Sequence, residues 1–327
     1  MLRDARRILV TGAAGFIGSH LVEHLVGQGC RVRAMVRYAS GGGRGYLDEA
    51  PAANGVEIIT GDVRDHDSVQ AAMAGCDVVF HLAALIGIPY SYVSPLAYVR
   101  TNVDGTLNVL EAARALGVAR VVVTSTSEVY GTARRFPIDE EHPVQSQSPY
   151  AATKAGADQL ALSFHRAFGL PVAIARPFNA YGPRQSDRAL IPTIATQLLA
   201  GQPVRLGNTS PTRDFTYVDD TVRALAAIAV TDALVGEAAN IGSGREIAVG
   251  ALADLLGRLA GRDVRIAPDD ARTRPPGSEV ERLCCDNAKL HALTGWQPQM
   301  PLEDGLRRTL RWIESRLGQF RVGEYRV

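Results

Sequence analysis

The chain has 327 residues, enough for a large buried core and two closely packed lobes, since single cores stop growing near ~250–300 residues. Charged residues make up 21%, hydrophobic residues 46%, and the formal net charge is +1, which excludes a disordered chain and gives no basis for nucleic acid as a partner. No run approaches the ~20 apolar residues of a membrane span, Met1–Arg7 leads into an apolar strand without a signal-type segment, and the four cysteines lack metal-ligand or disulfide spacing, so a cytoplasmic protein with neither a metal site nor a membrane partner is expected.

In chain order, Arg7–Thr11 reads as the first strand, and Gly15–Gln28 as the helix that follows it. Between them runs Gly12-Ala13-Ala14-Gly15-Phe16-Ile17-Gly18, in which Gly12, Gly15 and Gly18 stand where a tight turn, close approach to a pyrophosphate, and helix-on-strand packing each forbid a side chain. The helix N-terminus, at Phe16 and Ile17, offers unpaired amides and a partial positive charge to phosphates. A second strand, Arg31–Val36, ends at Arg37, where an acid usually meets the ribose hydroxyls of NAD; an arginine there can pair with a 2′-phosphate, which favours NADP slightly within a general NAD(P) expectation. The glycine-rich patch Ser40–Gly45 is expected to be a mobile surface loop.

The third strand, Val56–Thr60, runs into Gly61-Asp62-Val63, and Asp62 suits a hydrogen bond to an adenine amine. A helix over His66–Ala74, a strand over Val78–Leu82, a long helix over Leu96–Leu116 and a strand over Arg120–Ser125 follow. A helix over Tyr150–Phe168 carries Tyr150 and Lys154 four residues apart, so both side chains project from one face, and the ammonium is expected to lower the phenol pKa toward that of a useful base. The last strand of this half is Pro171–Arg176. Fully apolar strands alternating with helices predict an α/β fold, a Rossmann doubly wound parallel sheet over residues 1–177, with right-handed crossovers. Beyond Pro177 the rhythm loosens: helices are expected near Leu190–Ala200, Tyr217–Val230, Val249–Leu259 and Leu302–Leu317, set among Gly/Pro-rich loops at Asn179–Arg184, Gly207–Arg213 and Arg272–Gly277. We read residues 178–327 as a smaller substrate lobe, with some chain crossing between lobes.

Tyr150 and Lys154 follow, by about 25 residues, a strand that ends in Ser125-Thr126-Ser127-Glu128-Val129-Tyr130-Gly131. With His81-Leu82-Ala83-Ala84, Asn102-Val103-Asp104-Gly105-Thr106, Arg176-Pro177-Phe178-Asn179 and Arg213-Asp214-Phe215, this pattern resembles the extended short-chain dehydrogenase/reductases, the NAD-dependent epimerase/dehydratase family, over nearly the whole chain. Thr126-Ser127-Glu128 resembles the GDP-mannose 4,6-dehydratases and UDP-glucuronate decarboxylases. Longer stretches, from His81 to Pro89, Thr124 to Gly131 and Ser186 to Thr193, look most like the nucleotide-activated N-acetylhexosamine 4,6-dehydratases of the legionaminic acid route.

The resemblance implies a lyase that converts a nucleotide-diphosphate hexose to its 4-keto-6-deoxy form. Tyr150 would take the proton of the 4-hydroxyl, with Thr126 bonded to the same oxygen, and Glu128 would remove the C5 proton and pass it to the departing C6 hydroxyl. Ser127 would position or relay. Val63, Leu82, Ala83, Ala84, Asn102, Thr124 and Pro177 would join the glycine loop, Tyr150 and Lys154 along the dinucleotide, while Asn179, Arg213, Arg274 and, more loosely, Arg184 would hold the sugar diphosphate. Asp214 would cap or orient Arg213. The apolar run Leu85-Ile86-Gly87-Ile88-Pro89 should line the hexose pocket and offers no partner for a sugar carboxylate, which ranks decarboxylation second, C4 epimerisation third, and non-catalytic dinucleotide sensing last. The resemblance also implies a homodimer through the helices Leu96–Leu116 and Tyr150–Phe168, whose outer faces are expected to present Ala112, Ala113, Ala152, Gly156 and Ala157.

Overall fold

The computed structural model describes residues 2, 7–40, 43–49 and 55–325. Strand β1 (Ile8–Thr11) leads into helix α1 (Phe16–Gly27) and strand β2 (Val32–Val36), followed by β3 (Glu57–Thr60), α2 (His66–Met73) and β4 (Val78–His81). Helices α3 (Ile88–Val93) and α4 (Pro95–Tyr98), a π-helical stretch (Val99–Asp104), and α5 (Gly105–Ala115) precede β5 (Arg120–Thr124), α6 (Pro149–Phe168) and β6 (Val172–Pro177). The remainder comprises β7 (Asn179–Tyr181), α7 (Leu190–Leu199), β8 (Val204–Leu206), β9 (Thr212–Tyr217), α8 (Val218–Val230), β10 (Ala238–Ile241), β11 (Glu246–Ala248), α9 (Val249–Ala260), β12 (Ile266–Pro268), α10 (Ala288–Thr294) and α11 (Leu302–Glu314).

Seven strands form one parallel sheet in the order β10-β6-β5-β4-β1-β2-β3. Alternate residues of each central strand serve opposite faces, which is why the strands are apolar throughout. Leu9, Val121, Val123, Val172 and Ile174 pack under α2, α5 and α6 with Val69, Leu110 and Phe164. Ile8, Val10, Val122 and Ala173 pack the other way, under α1 and α8 with Leu21, Leu25 and Leu225, in a core that continues into the second lobe at Ile191, Leu252 and Leu306. Each such leucine contributes roughly 1.5–3 kcal/mol on burial.

The chain past Pro177 does not stay in one lobe. Helix α8 covers the sheet beside α1, and β10 joins the sheet edge in register with β6, Ala238 opposite Ile174. The rest builds a three-stranded sheet, β11-β9-β7, and a two-stranded one, β12-β8. Strands β7 to β12 lie outside the predicted elements: β7 and the start of β9 fall in segments that read as Gly/Pro-rich loops, and none of the six carries an apolar run of strand length like those of the first half.

The long helix expected over Leu96–Leu116 is interrupted. Pro95 starts it, and Val99–Asp104 widens to π geometry where Asn102 turns inward, accepting from the Leu85 amide at 2.9 Å and donating to the Leu85 carbonyl and Thr153 Oγ1, each at 3.0 Å. Of the Ser40–Gly45 patch, Gly41 and Gly42 lie outside the described residues. Gly45 is packed against the loop after β1, where a Cβ on it would meet the Ala14 carbonyl at 2.7 Å, and the Tyr46 amide donates to that same oxygen.

Candidate active site

Strands β1 and β4 are neighbours, and the connections leave them in opposite directions along the sheet, so their C-terminal ends border a crevice. The loops that follow touch closely. Gly12 has φ +67°, and a Cβ on it would lie 2.7 Å from the Ala83 nitrogen; a Cβ on Gly18 would run into the Gly12 carbonyl. Below this contact a buried relay locks β4 to β1: Thr11 Oγ1 accepts from the Leu82 and Ala83 amides at 3.2 Å each and lies 2.9 Å from His81 Nδ1, while His81 Nε2 lies 3.1 Å from Thr106 Oγ1. The Thr106 hydroxyl is spent on the Asn102 carbonyl, so His81 Nε2 must donate and Nδ1 must accept from Thr11. Burial, reinforced by Lys154, pushes the His81 pKa down to about 3, which keeps the ring in that neutral tautomer.

The crevice opens into a cleft of about 1350 Å³. Gly15, Phe16, Ile17 and Gly18 line it, and no side chain caps the first turn of α1, so a glycine-walled cradle and the positive end of a helix face open space. These residues fit a dinucleotide pyrophosphate. Arg37 and Asp62 line the same wall; both Asp62 oxygens are already engaged by Arg64, at 2.9 and 3.1 Å to Nε, and this pairing holds the Asp62 carboxyl below its usual range. Val63, Leu82, Ala83, Ala84, Thr124 and Pro177 also reach the cleft. Asn102 does not: it is 1% exposed and acts on the Leu85 backbone, so its part in holding a dinucleotide is indirect.

Tyr150 enters the cleft because Ser148 caps α6, accepting from the Ala151 amide at 3.1 Å, and Pro149 stiffens the first turn. Lys154, one turn on and 3% exposed, donates from Nζ to the Thr124 carbonyl at 2.5 Å. Burial brings its pKa down to about 8, with Asp158 opposing. The phenol does not follow the expectation of a lowered pKa. Burial raises the Tyr150 pKa, the nearby charge of Glu128 adds to this, and a hydrogen bond with Thr126 offsets only part, because Lys154 is turned to the Thr124 carbonyl. Thr126 and Glu128 line the cleft from the 3₁₀ turn Ser127–Tyr130, which Thr126 caps by accepting from the Glu128 amide at 3.2 Å. Ser127 on that turn is 3% exposed and is not among the residues that line the cleft, so its expected relay role rests on the resemblance alone.

On the far wall, Arg213 is 6% exposed and donates to Glu279 at 3.0 Å, while Arg274 lies 3.7 Å from the same carboxylate oxygen. Asn179 donates to the Asp214 carbonyl at 3.4 Å. Asp214 turns away from Arg213 and accepts from the amides of Ser243, Gly244 and Cys285, fixing the loop after β10. Arg184 borders the cleft but is clamped in a two-point pair with Glu23 of α1, at 2.8 and 2.9 Å, which directs its charge to that helix and away from a diphosphate. The apolar run Leu85 to Pro89 does line the cleft; Tyr98, whose hydroxyl donates to the Gly87 carbonyl and whose ring meets Tyr150 edge-on at 6.2 Å, supports it from beneath. Glu279, Tyr98, Tyr46 and the aromatic residues of the C-terminal segment carry no local motif, and only the fold brings them here.

The model of the GDP-mannose 4,6 dehydratase family matches residues 9–309. A dTDP-glucose 4,6-dehydratase of Streptomyces niveus is 36% identical over 321 residues, covering 94% of this chain and 93% of the relative. A UDP-glucose 4-epimerase of Mycolicibacterium smegmatis is 35% identical over 317 residues, covering 95% and 99%. The crystal structure of DesIV, a dTDP-glucose 4,6-dehydratase from Streptomyces venezuelae with NAD bound, superposes with a TM-score of 0.88 at 35% identity, covering 96% of this chain and 99% of that one. With its seven-stranded sheet, glycine cradle and Tyr150–Lys154 pair, the chain belongs to the GDP-mannose 4,6-dehydratase family of NAD-dependent epimerases and dehydratases, within the extended short-chain dehydrogenase/reductases.

Proposed function

We propose that the protein is a nucleotide-sugar 4,6-dehydratase acting on a nucleotide-diphosphate N-acetylhexosamine in the cytoplasm, with residues 178–327, less the α8–β10 crossover, forming the sugar-nucleotide lobe. The observation that carries this reading is Glu128, which lines the same cleft as Tyr150, near enough for its charge to act on the phenol. An epimerase has no elimination to perform and no need for a carboxylate base at that point. NAD(P), when bound in the glycine cradle, supplies the hydride acceptor and donor of an internal redox cycle. Arg37 on the cleft wall favours NADP. Tyr150, as the phenolate that the Lys154 ammonium would favour on turning from the Thr124 carbonyl, and with Thr126 beside it, takes the proton of the sugar 4-hydroxyl; the 4-ketone acidifies C5, Glu128 removes the C5 proton and delivers it to the leaving hydroxyl at C6, and C5 is reprotonated as the 4-keto-6-deoxy product forms. Arg213 and Arg274 are the cations for the diphosphate, Glu279 holding them in register.

Incubation with a panel of GDP-, UDP-, dTDP- and CDP-hexoses and their N-acetylamino analogues tests the reading: a product lighter by one water, with no net formation of reduced cofactor, supports it. A second reading, decarboxylation of a nucleotide-glucuronate, draws on Arg188, which borders the cleft near Tyr98 and could meet a sugar carboxylate that the apolar run from Leu85 to Pro89 cannot. Release of carbon dioxide from a glucuronate substrate, with no loss of water from any hexose, would put that reading in place of the first.

A further inference from the structure

Past α11 the chain returns to the cleft, and Tyr325 forms part of its wall. The tyrosine is 37% exposed, and the Arg272 guanidinium stands over its ring at 5.1 Å from the centroid. Arg272 is itself held on two other sides, donating from Nε to Asp269 at 3.1 Å and from a terminal nitrogen to the Gly323 carbonyl at 3.4 Å, so the cation and the ring form a built pair. The loop after β8 presses onto the same arginine: a Cβ on Gly207 would meet the Arg272 carbonyl at 2.7 Å. The phenol lies within electrostatic reach of Arg274, one of the two cations gathered on Glu279, and of Tyr92, whose hydroxyl is 2.5 Å from Ser278 Oγ.

An aromatic ring backed by a cation, partly exposed, and set beside diphosphate cations is what the base of a nucleoside diphosphate requires, since every base has a π face and is tethered to its diphosphate by a single ribose. We propose that Tyr325 stacks on the nucleobase of the sugar nucleotide, with Arg272 behind the ring, so that the C-terminal segment completes the nucleotide site. Leu206, Gly207 and Pro211, which line the cleft with it, form the rest of that wall. The inference rests on the sugar-nucleotide reading and deepens it: recognition of the base falls to a residue remote in sequence from the diphosphate cations, and the stacking is tolerant of base identity.

Calorimetric titration of the full-length protein with UDP, GDP, dTDP and CDP, and with inorganic pyrophosphate as a probe without a base, tests it. Tyr325→Ala should weaken the best-bound nucleoside diphosphate by about five- to a hundredfold. Pyrophosphate affinity and the melting temperature should stay at wild-type values, and Tyr325→Phe should restore nucleotide binding. Unchanged nucleotide affinity in Tyr325→Ala would overturn the inference, as would an equal loss for nucleotide and pyrophosphate, which would mark the ring as mere support for the arginines. If the wild type binds its dinucleotide but none of the four nucleoside diphosphates, the sugar-nucleotide reading itself fails and the inference falls with it.

Discussion

Glu128 and Tyr150 divide the proposed reaction between them, and the division can be measured. Oxidation at C4 needs Tyr150 and no carboxylate, whereas elimination across C5 and C6 needs the carboxylate. Glu128→Gln keeps shape and hydrogen bonding but cannot accept the proton, so absorbance at about 340 nm should rise on mixing with substrate and persist, while exchange of the C5 hydrogen with solvent deuterium is lost. Product formation at the wild-type rate would mean that another residue is the base. Tyr150→Phe should abolish turnover and leave dinucleotide affinity within about tenfold. At Arg37, substitution by Ala should weaken NADP far more than NAD; equal losses would make that arginine a bystander.

Lys154 illustrates a stability cost at a reactive site. Its pKa falls from 10.5 to about 8 because the ammonium is buried, so the folded state gives up this proton at a lower pH than the unfolded state. Between those two values the unfolded chain binds more protons, and stability rises with pH; below about 8 both states are protonated and the full penalty, about 3 kcal/mol at most, is present. Lys154→Met should therefore be inactive yet more stable at neutral pH by about 1–3 kcal/mol in denaturant titrations, with the gain shrinking as pH approaches 10.5. A variant less stable than wild type at pH 7 would show that the bond to the Thr124 carbonyl outweighs the burial cost.

At the scale of elements, the turn from β1 into α1 is the piece with least tolerance. Gly12 combines a left-handed backbone with a neighbour at 2.7 Å from any added Cβ, and that neighbour is the Ala83 backbone, which cannot move without breaking the Thr11–His81 relay. Gly12→Ala should lose dinucleotide binding by about a hundredfold or more and lower the melting temperature, measured by calorimetry with and without cofactor. A fully bound, wild-type-stable variant would show that the loop can relax. The π stretch Val99–Asp104 is the second such element: it turns Asn102 onto the Leu85 backbone and so sets where the apolar run that lines the cleft begins.

At the scale of the whole molecule, the small residues expected on the outer faces of the two helices are only partly there. Ala112 and Ala113 are fully buried in the core beneath the protein's own sheet and Ala157 is fully buried as well, leaving Ala152 and Gly156 toward the surface. The surface there is nonetheless apolar: Leu96 is 58% exposed and Val99 39%, and Phe168, 53% exposed, carries Arg114 at 4.3 Å from its ring. A homodimer through this face remains our proposal, and light scattering at micromolar concentration should give twice the chain mass. The double substitution Leu96→Asp and Val99→Asp should yield a folded monomer. A monomeric wild type would rule the interface out.

Local rules made much of this protein legible from its residues alone. Runs of apolar β-formers, helix-period segments and a glycine loop between a strand and a helix located all six strands of the first half, because each signal is carried by neighbours in sequence. Tyr150 with Lys154, one turn apart, and Thr126 with Glu128, two residues apart, stand out through the resemblance to the extended short-chain dehydrogenase/reductases, whose motifs are likewise short runs of sequence neighbours. What only the tertiary structure decided are relations between distant segments. Strand β10 returned to the sheet beside β6, which no local pattern requires. Arg184 paired with Glu23 of α1, and Glu279 gathered Arg213 and Arg274. Ser127 was buried outside the cleft lining that its neighbours Thr126 and Glu128 join, and Lys154 took the Thr124 carbonyl, leaving burial to set the phenol's proton affinity. Charge pairing and desolvation depend on what packs within a few ångströms, and a linear chain does not record that proximity until it has folded.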